Sequence, residues 1–546
     1  MKRIALYFLI FLISGRGLAQ GTFSGDFMTN LNFFMKDTAI RASDNPLYDN
    51  ALSGSDAWLT LRYATNGFTF FVRADGFANS NLKDPIAPNT DFGIGAWSVT
   101  KDLGDLTIIG GSIYDQIGTG ILFRSYEDRG LLIDNALTGF ELKYKFSNSI
   151  SAKGFVGQLK NNNSPNNLIN NVRYMPVIKA INFEADHDLG KVHISPGIGV
   201  MNRTLDATSM NSIVEAINNM DTSMRFIPKY NMYAFTVYNN LIYKNLSWYI
   251  EGAYKTHEAI RLTNTPNNDL GLSDGNIIFT SLNYGRKGYA ISLTGKRTDH
   301  FVMRTSPNEV LLQGMLNWQP VVAVMRPLRL MSRYQPPSQD IAEMAGTANL
   351  TLSPSDVTTI NLTYSHINTL DGEKLYREAY AEAIYQGMDK WVLEGGVQYI
   401  DYNVALYQNR GTAVSRPILT AITPFAEITY KINDNKSIRL EAQYMHAELD
   451  YGSWLFGLLE YNVAPRWSIA VTDMFNCAPN TTGVNTPPGY IAKTQNYYNI
   501  FVAHTRGANR FTLAYVKQVD GINCTGGVCR YEPAFSGVKA TVTSSF

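Results

Sequence analysis

The amino-acid sequence predicts an all-β fold, a single transmembrane antiparallel up-and-down β-barrel of about 24 strands, with roughly 18 to 26 as the range that boundary errors allow. Three observations predict it. Apolar and polar residues alternate with period two along the chain, short turn-forming connections alternate with long polar ones, and a leader for export precedes a chain that holds no apolar run long enough for a spanning helix.

The leader starts with Lys2 and Arg3, runs through an apolar core from Ile4 to Ile13 and reaches the small residues Gly17 and Ala19. That pattern predicts a signal peptide over residues 1–19, since a core of about ten residues is too short for a spanning helix of roughly 20. The first cysteine is Cys477, so the leader carries no lipid-anchor site. Residues 20–546 are expected to form one barrel domain, because no Pro/Ser-rich linker or shift of composition divides them. The first strand is expected over Gly21 to Phe34, almost at the cleavage site, which leaves no room for an amino-terminal plug domain.

The alternation is clearest where four apolar residues oppose three charged ones. Phe140, Leu142, Tyr144 and Phe146 share one face of an extended chain, and Glu141, Lys143 and Lys145 share the other. Ile438, Leu440, Ala442 and Tyr444 oppose Arg439, Glu441 and Gln443 in the same way. A soluble β-sandwich alternates too, so the connections have to separate the two. Short turns are expected within 64–67, 102–105, 147–149, 188–191, 285–288, 353–356, 387–390, 433–436 and 507–509, and long polar stretches at 159–178, 203–230, 257–275, 402–417 and 475–492. Short turns at one end and long loops at the other is the asymmetry of an outer-membrane barrel. Lipid cannot satisfy an open sheet edge, so the first and last strands should pair, placing Gly21 to Phe34 beside Ala534 to Phe546. The terminal Phe546 resembles the aromatic signal such barrels present to their assembly machinery.

Composition agrees with strands rather than helices. Aromatics make up 12% of the chain, with 32 Tyr and 27 Phe, residues that favour pleated surfaces and membrane interfaces. With 47 basic and 46 acidic residues the net charge is +1, which gives no footprint for nucleic acid. The expected location is the cell outer membrane of a Gram-negative bacterium, and the expected partners are outer-membrane lipid and, during biogenesis, the barrel-assembly machinery.

If the apolar set faces lipid, the polar set faces the lumen. Candidate lining residues are Arg62, Arg73, Glu141, Lys143, Lys145, Glu378, Glu382, Glu394, Arg439 and Glu441. Both signs are present, which fits either charge-paired packing inside the barrel or the wall of a solute path, and predicts no strong ion selectivity. Between the fifth and sixth expected strands, residues 114–139 pack Asp115, Arg124, Glu127, Asp128, Arg129 and Asp134 among glycines. By analogy with general porins this segment is a candidate lumen constriction, and an outward solvated loop is the alternative.

The same segment carries a resemblance. The run Gly118-Thr119-Gly120-Ile121-Leu122-Phe123-Arg124-Ser125-Tyr126-Glu127-Asp128-Arg129, followed by Asp134-Asn135 and Gly139, resembles an uncharacterised family of Bacteroidota outer-membrane proteins known only as a domain of unknown function. The resemblance implies a compartment and a fold, and no activity. A second unusual stretch, 298–343, holds apolar runs broken by Pro320 and Pro327 and fits either an extra hairpin or a lid or lumen insert. Cys524 and Cys529, in Cys-Thr-Gly-Gly-Val-Cys, are a candidate disulfide pair in an exported chain, with Cys477 left over.

Function follows from the architecture only in outline. A barrel of this size encloses more space than its own side chains fill, so a porin-like passive channel for small polar solutes is the leading expectation. A non-conducting accessory or scaffold barrel for secretion or surface assembly is the second, with its partner unidentified. An outer-membrane hydrolase is the third and weakest. His187, His193, His257, His300, His366, His446 and His504 are scattered, without HExxH or GxSxG, so no catalytic residue, metal site or cofactor is expected.

Overall fold

The computed structural model describes residues 21–82, 84, 87–161, 172–261, 270–309, 313–338, 341–408, 417–487, 490–525 and 528–546, with the side chains of 522–530 outside the description. The predicted signal peptide lies outside the described residues.

Twenty-four antiparallel strands follow one another around a closed barrel, from Thr22–Phe34 to Phe535–Ser545. A short segment, His187–Leu189, continues the eighth strand, Arg173–Ala185, past a break at Asp186 and keeps pairing with Val192–Thr204. The barrel closes as expected: Asn30 lies opposite Thr541, Met28 opposite Thr543, and the Gly25 and Phe546 backbones exchange hydrogen bonds of 2.8 and 3.0 Å. Closure leaves no unpaired ladder for lipid to meet.

Alternation sets the faces. In the sixth strand, Leu137–Ser147, Phe140, Leu142, Tyr144 and Phe146 are exposed on the outside, whereas Glu141 is 1% exposed on the inside. Outward Val237 and inward Tyr238 repeat the rule in Asn231–Tyr243. The result is an apolar outer belt that needs lipid for its solvent, and this barrel is therefore of the membrane-spanning kind.

All nine short turns fall where the sequence placed them, and two more occur, at Lys244-Asn245 and over 464–466. Neither looks like a turn. Lys244 takes a left-handed φ of 51° without being glycine. The long connections gather at the opposite end, and one carries a helix, Ala207–Asn218, capped by Asp206 Oδ2, which accepts from the Thr208 and Ser209 N–H groups at 2.9 and 3.3 Å. Its buried face, Met210, Ile213 and Ile217, covers Ala259 and Leu270 at the loop ends of their strands.

Two long connections behave differently. Residues 114–136, between the fifth and sixth strands, and the described residues of 300–342, between the thirteenth and fourteenth, turn back into the barrel. Their side chains and those of the inner wall make up a large buried cluster in which Ile117, Ile121, Leu122, Phe123 and Leu316 are completely buried. Of the two readings open for 298–343, the lumen insert is the one seen. Among its described residues the ladder is limited to an isolated bridge between Arg304 and Met315.

Candidate functional site

The two insertions dock on each other as well as on the wall. Arg124 N–H donates to Leu316 O and Trp318 N–H to Gly120 O, both at 2.9 Å, and Asn317 Nδ2 donates to Ile121 O at 3.0 Å. The Arg124 guanidinium lies 4.9 Å from the centre of the Trp318 ring. Together they form one plug, built from internal loops. The left-handed Gly118, φ 58°, turns the chain so that Thr119 offers both N–H and O–H to Glu251 Oε2, at 3.1 and 2.6 Å. A Cβ at Gly118 would sit 2.7 Å from that carboxylate, so glycine is needed there on two counts.

Charge ties the first insertion to the wall. Asp115 pairs with Lys143 and Lys153, at 2.5 and 2.8 Å. Asp134 pairs with Arg73 and Lys160, at 2.6 and 2.5 Å, and accepts from the Tyr114 hydroxyl at 2.8 Å. Arg73 is also held by Asp75 and by Glu127, which in turn pairs with Arg129. Burial alone would raise the Asp134 pKa, but Lys160 and Arg73 outweigh it and bring it down to about 2. The second insertion reaches the rest of the circumference. Lys255 Nζ donates to Val302 O, Lys296 Nζ to Pro320 O, Arg326 pairs with Glu378, Gln443 accepts from Leu330 N–H, and the Tyr334 hydroxyl donates to Asp450.

Most of the candidate constriction residues are thus brought together as plug-to-wall ties rather than arranged around an opening. Arg124 stacks between Trp318 and Tyr126, and Asp128 Oδ1 accepts the Leu131 N–H in a local turn. The candidate lining residues divide. Arg73, Glu141 and Glu378 are buried against the plug, while Arg62 and Lys145, nearer the short-turn end, are exposed. Glu382, Glu394, Arg439 and Glu441 line a cavity of about 740 Å³ together with Glu427. There Arg439 pairs with Glu427 and Glu460 at 3.0 and 2.7 Å, and Arg326 and Arg329 also reach the lining.

A second cavity, of about 1040 Å³, lies toward the long-loop end between Arg329, Arg333 and Tyr334 of the plug and the wall around Tyr451, Met474 and Tyr497. The two cavities share Arg329 and Phe456 in their linings, so they adjoin there. Arg329, Arg333 and Lys517 line the upper one with Asp450, Asp520 and Glu532, and four glutamates line the lower with Arg326, Arg329 and Arg439. Cys524 and Cys529 lie opposite each other in a hairpin at the rim, Gly521–Thr525 with Val528–Glu532, but the disulfide expected there concerns side chains outside the description. Cys477 is a free, half-buried thiol.

A family model described as a family of unknown function, DUF6029, matches residues 1–546. The chain belongs to that family. No curated protein matches the sequence. Among solved structures this DUF6029 chain is similar to the siderophore receptor PirA from Pseudomonas aeruginosa, with 9% identity over 96% of this chain and 80% of that one and a TM-score of 0.44. It is similar also to the ferric-catecholate import receptor Fiu from E. coli K12, at 11% identity, 96% and 81% coverage and a TM-score of 0.41. A third is the translocation pore of the P pilus usher PapC, at 7% identity, 96% and 99% coverage and a TM-score of 0.39.

Several residues that shape the DUF6029 lumen were not among the sequence candidates. Arg326, Arg329 and Arg333 stand at spacings of three and four beside Pro327, in a stretch read only for its apolar runs. Three arginines in a segment flanked by spanning strands are a signal in their own right, because a charge at membrane depth needs a partner or water.

Proposed function

We propose that the protein is an outer-membrane channel for small polar solutes, in which a plug made from two internal loops leaves a polar path along one wall. The observation that carries this reading is the pair of adjoining cavities, about 1040 and 740 Å³, which follow the plug from the long-loop half to the short-turn half and meet at Arg329 and Phe456. Such a path suits permeation of small hydrated solutes better than bulk flow, since the plug fills the rest of the section with packed side chains. The signal peptide over 1–19 and the apolar outer belt support an outer-membrane location, and the resemblance of 118–129 supports a Bacteroidota source. Passive transport needs no catalytic group, and the residues brought together here serve packing and ion pairing.

The test is single-channel recording of the purified barrel in planar bilayers, with Phe456→Trp to crowd the junction of the cavities. Small, discrete conductance steps that shrink in the variant are expected. Steps that Phe456→Trp leaves unchanged would place the path elsewhere, and a silent native barrel would end the channel reading. The second reading is a non-conducting scaffold barrel, favoured by the complete burial of Ile117, Ile121, Leu122 and Phe123 in the plug. It expects silence in the same recording and a partner that co-purifies through the long loops.

A further inference from the structure

The upper cavity contains two arginines that no described carboxylate meets in a direct ion pair. Arg329 lies just before the single turn Met331–Arg333, Arg333 ends it, and both line the cavity. Among the described residues neither has an ion-pair partner. The Arg333 guanidinium lies over the rings of Trp454 and Tyr451, at 4.6 and 4.9 Å, and its buried Nε has no hydrogen-bond acceptor. The carboxylates nearby are committed. Asp520 pairs with Arg41 at 2.7 Å and accepts from the Tyr451 and Tyr531 hydroxyls, both at 3.0 Å. Asp450 accepts from the Tyr334 hydroxyl at 2.6 Å, and Glu532 from the Gln518 amide at 3.0 Å. Lys517, the remaining cation of the described lining, pairs with Asp37 at 2.7 Å.

We propose that this cavity is a binding site for a small solute bearing an oxyanion, a phosphate or a carboxylate, held between Arg329 and Arg333 with the surrounding tyrosines against its body. Two guanidiniums confined in a lumen, without a direct ion pair and with the Arg333 Nε unsatisfied, gain more from an oxyanion than from each other, because planar N–H forks match carboxylate and phosphate geometry. The rings beneath Arg333 hold its plane and reduce the entropy lost on binding. Confinement in the barrel, and then the charge of Arg333, lower the Arg329 pKa to about 10, a strain that a bound anion relieves. A volume of about 1040 Å³ admits a molecule larger than the ion alone. The inference goes beyond the channel reading and does not depend on it, since a barrel that conducts nothing can still bind.

The experiment is titration calorimetry of the full barrel in detergent with inorganic phosphate and with succinate as the two probes. Saturable binding of at least one probe is expected, weakened by about tenfold or more in Arg329→Gln, which removes a charge-assisted contact. Arg329 projects into open cavity, so that variant keeps its fold even where Arg333→Gln disturbs the ring stack. Arg439→Gln, in the lower cavity, should bind both probes as the native chain does. Phosphate binding alone selects the phosphate source, and succinate binding alone the carboxylate. Absence of binding by both probes, or native affinity in Arg329→Gln, overturns the proposal, whatever the bilayer recordings show.

Discussion

Against strands 68–299 the plug is packed and ion-paired like a soluble core, whereas against the strands around 452–518 it stands off the wall and leaves the larger cavity. On the first side Asp115 and Asp134 of the plug meet opposite charges on the wall. On the second, Arg329 and Arg333 face hollow space. The contrast teaches that the plug is anchored along one side and leaves open volume along the other. Experiments that exchange these properties are the ones that break or sharpen it.

The largest effect should come from deleting 118–133, which removes Ile121, Leu122 and Phe123 from the buried cluster and opens the anchored side. Conductance several times the native level is expected in bilayers, and an unchanged conductance in a correctly folded barrel would remove this segment from the control of the path. Phe123→Ala is the milder form. Phe123 is completely buried, 4.6 Å from the Phe155 ring, and truncating such a residue costs about 3 to 5 kcal/mol, read as a lower midpoint of urea unfolding in micelles.

Arg73→Ala should follow closely. The guanidinium is 2% exposed and holds Asp75, Asp134 and Glu127 at 2.6, 2.6 and 2.9 Å, so its loss strips the buried Asp75 of its ion pair and leaves Asp134 to Lys160 alone, at about 3 to 5 kcal/mol. A change confined to the free side would not do this. If Arg73→Ala unfolds at the native urea concentration, the anchored side is not held by its ion pairs.

Acid should loosen the same side. Asp134 has a folded pKa of about 2, below the value of about 3.9 it has when unfolded. A depressed carboxylate contributes its full stability above the unfolded value and loses it as pH falls through the folded one. Anchoring is therefore expected to hold at pH 5 and weaken between about pH 4 and 2, by about 2 kcal/mol from this group. Hydrogen exchange at the 114–136 amides across that range checks it. Protection that stays constant down to pH 2 would mean that the salt bridges of Asp134 are not what fixes the plug.

Much of this architecture is legible in the chain, and the reason is local. Phe140 to Phe146 declare both faces of their strand without reference to any partner, and closure between Asn30 and Thr541 follows from what lipid cannot do. Turns with glycine or Asn-Asp chemistry are equally plain, while Lys244-Asn245 hides between apolar strands because a lysine adopts the left-handed conformation there. The plug is less legible. Asn317 donates to Ile121 across 196 residues, and no period or spacing announces a contact at that separation. The charges of 114–139 could be picked out as functional and Arg73 as lumen-facing, yet which of them pair, and with Lys153 and Lys160 besides, depends on strands far apart in sequence that only the barrel brings together.

The smallest expected change is also the most discriminating. Arg329→Gln touches no ion pair and projects into the cavity, so its effect on unfolding should stay within about 0.5 kcal/mol, as for a surface substitution. Its effect on permeation should not be small. Arg329 stands where the two cavities adjoin, and removing its charge tips the balance there toward the carboxylates of Glu382, Glu394, Glu427 and Glu441. Reversal potentials in a salt gradient should therefore shift toward cation preference in Arg329→Gln, while Arg439→Gln, which removes the cation paired to Glu427 and Glu460, should shift them the same way with a measurable loss of stability. If Arg329→Gln proves as destabilising as Arg73→Ala, the side chain is part of the packing after all, and the division of the lumen into an anchored and a free side fails at its central residue.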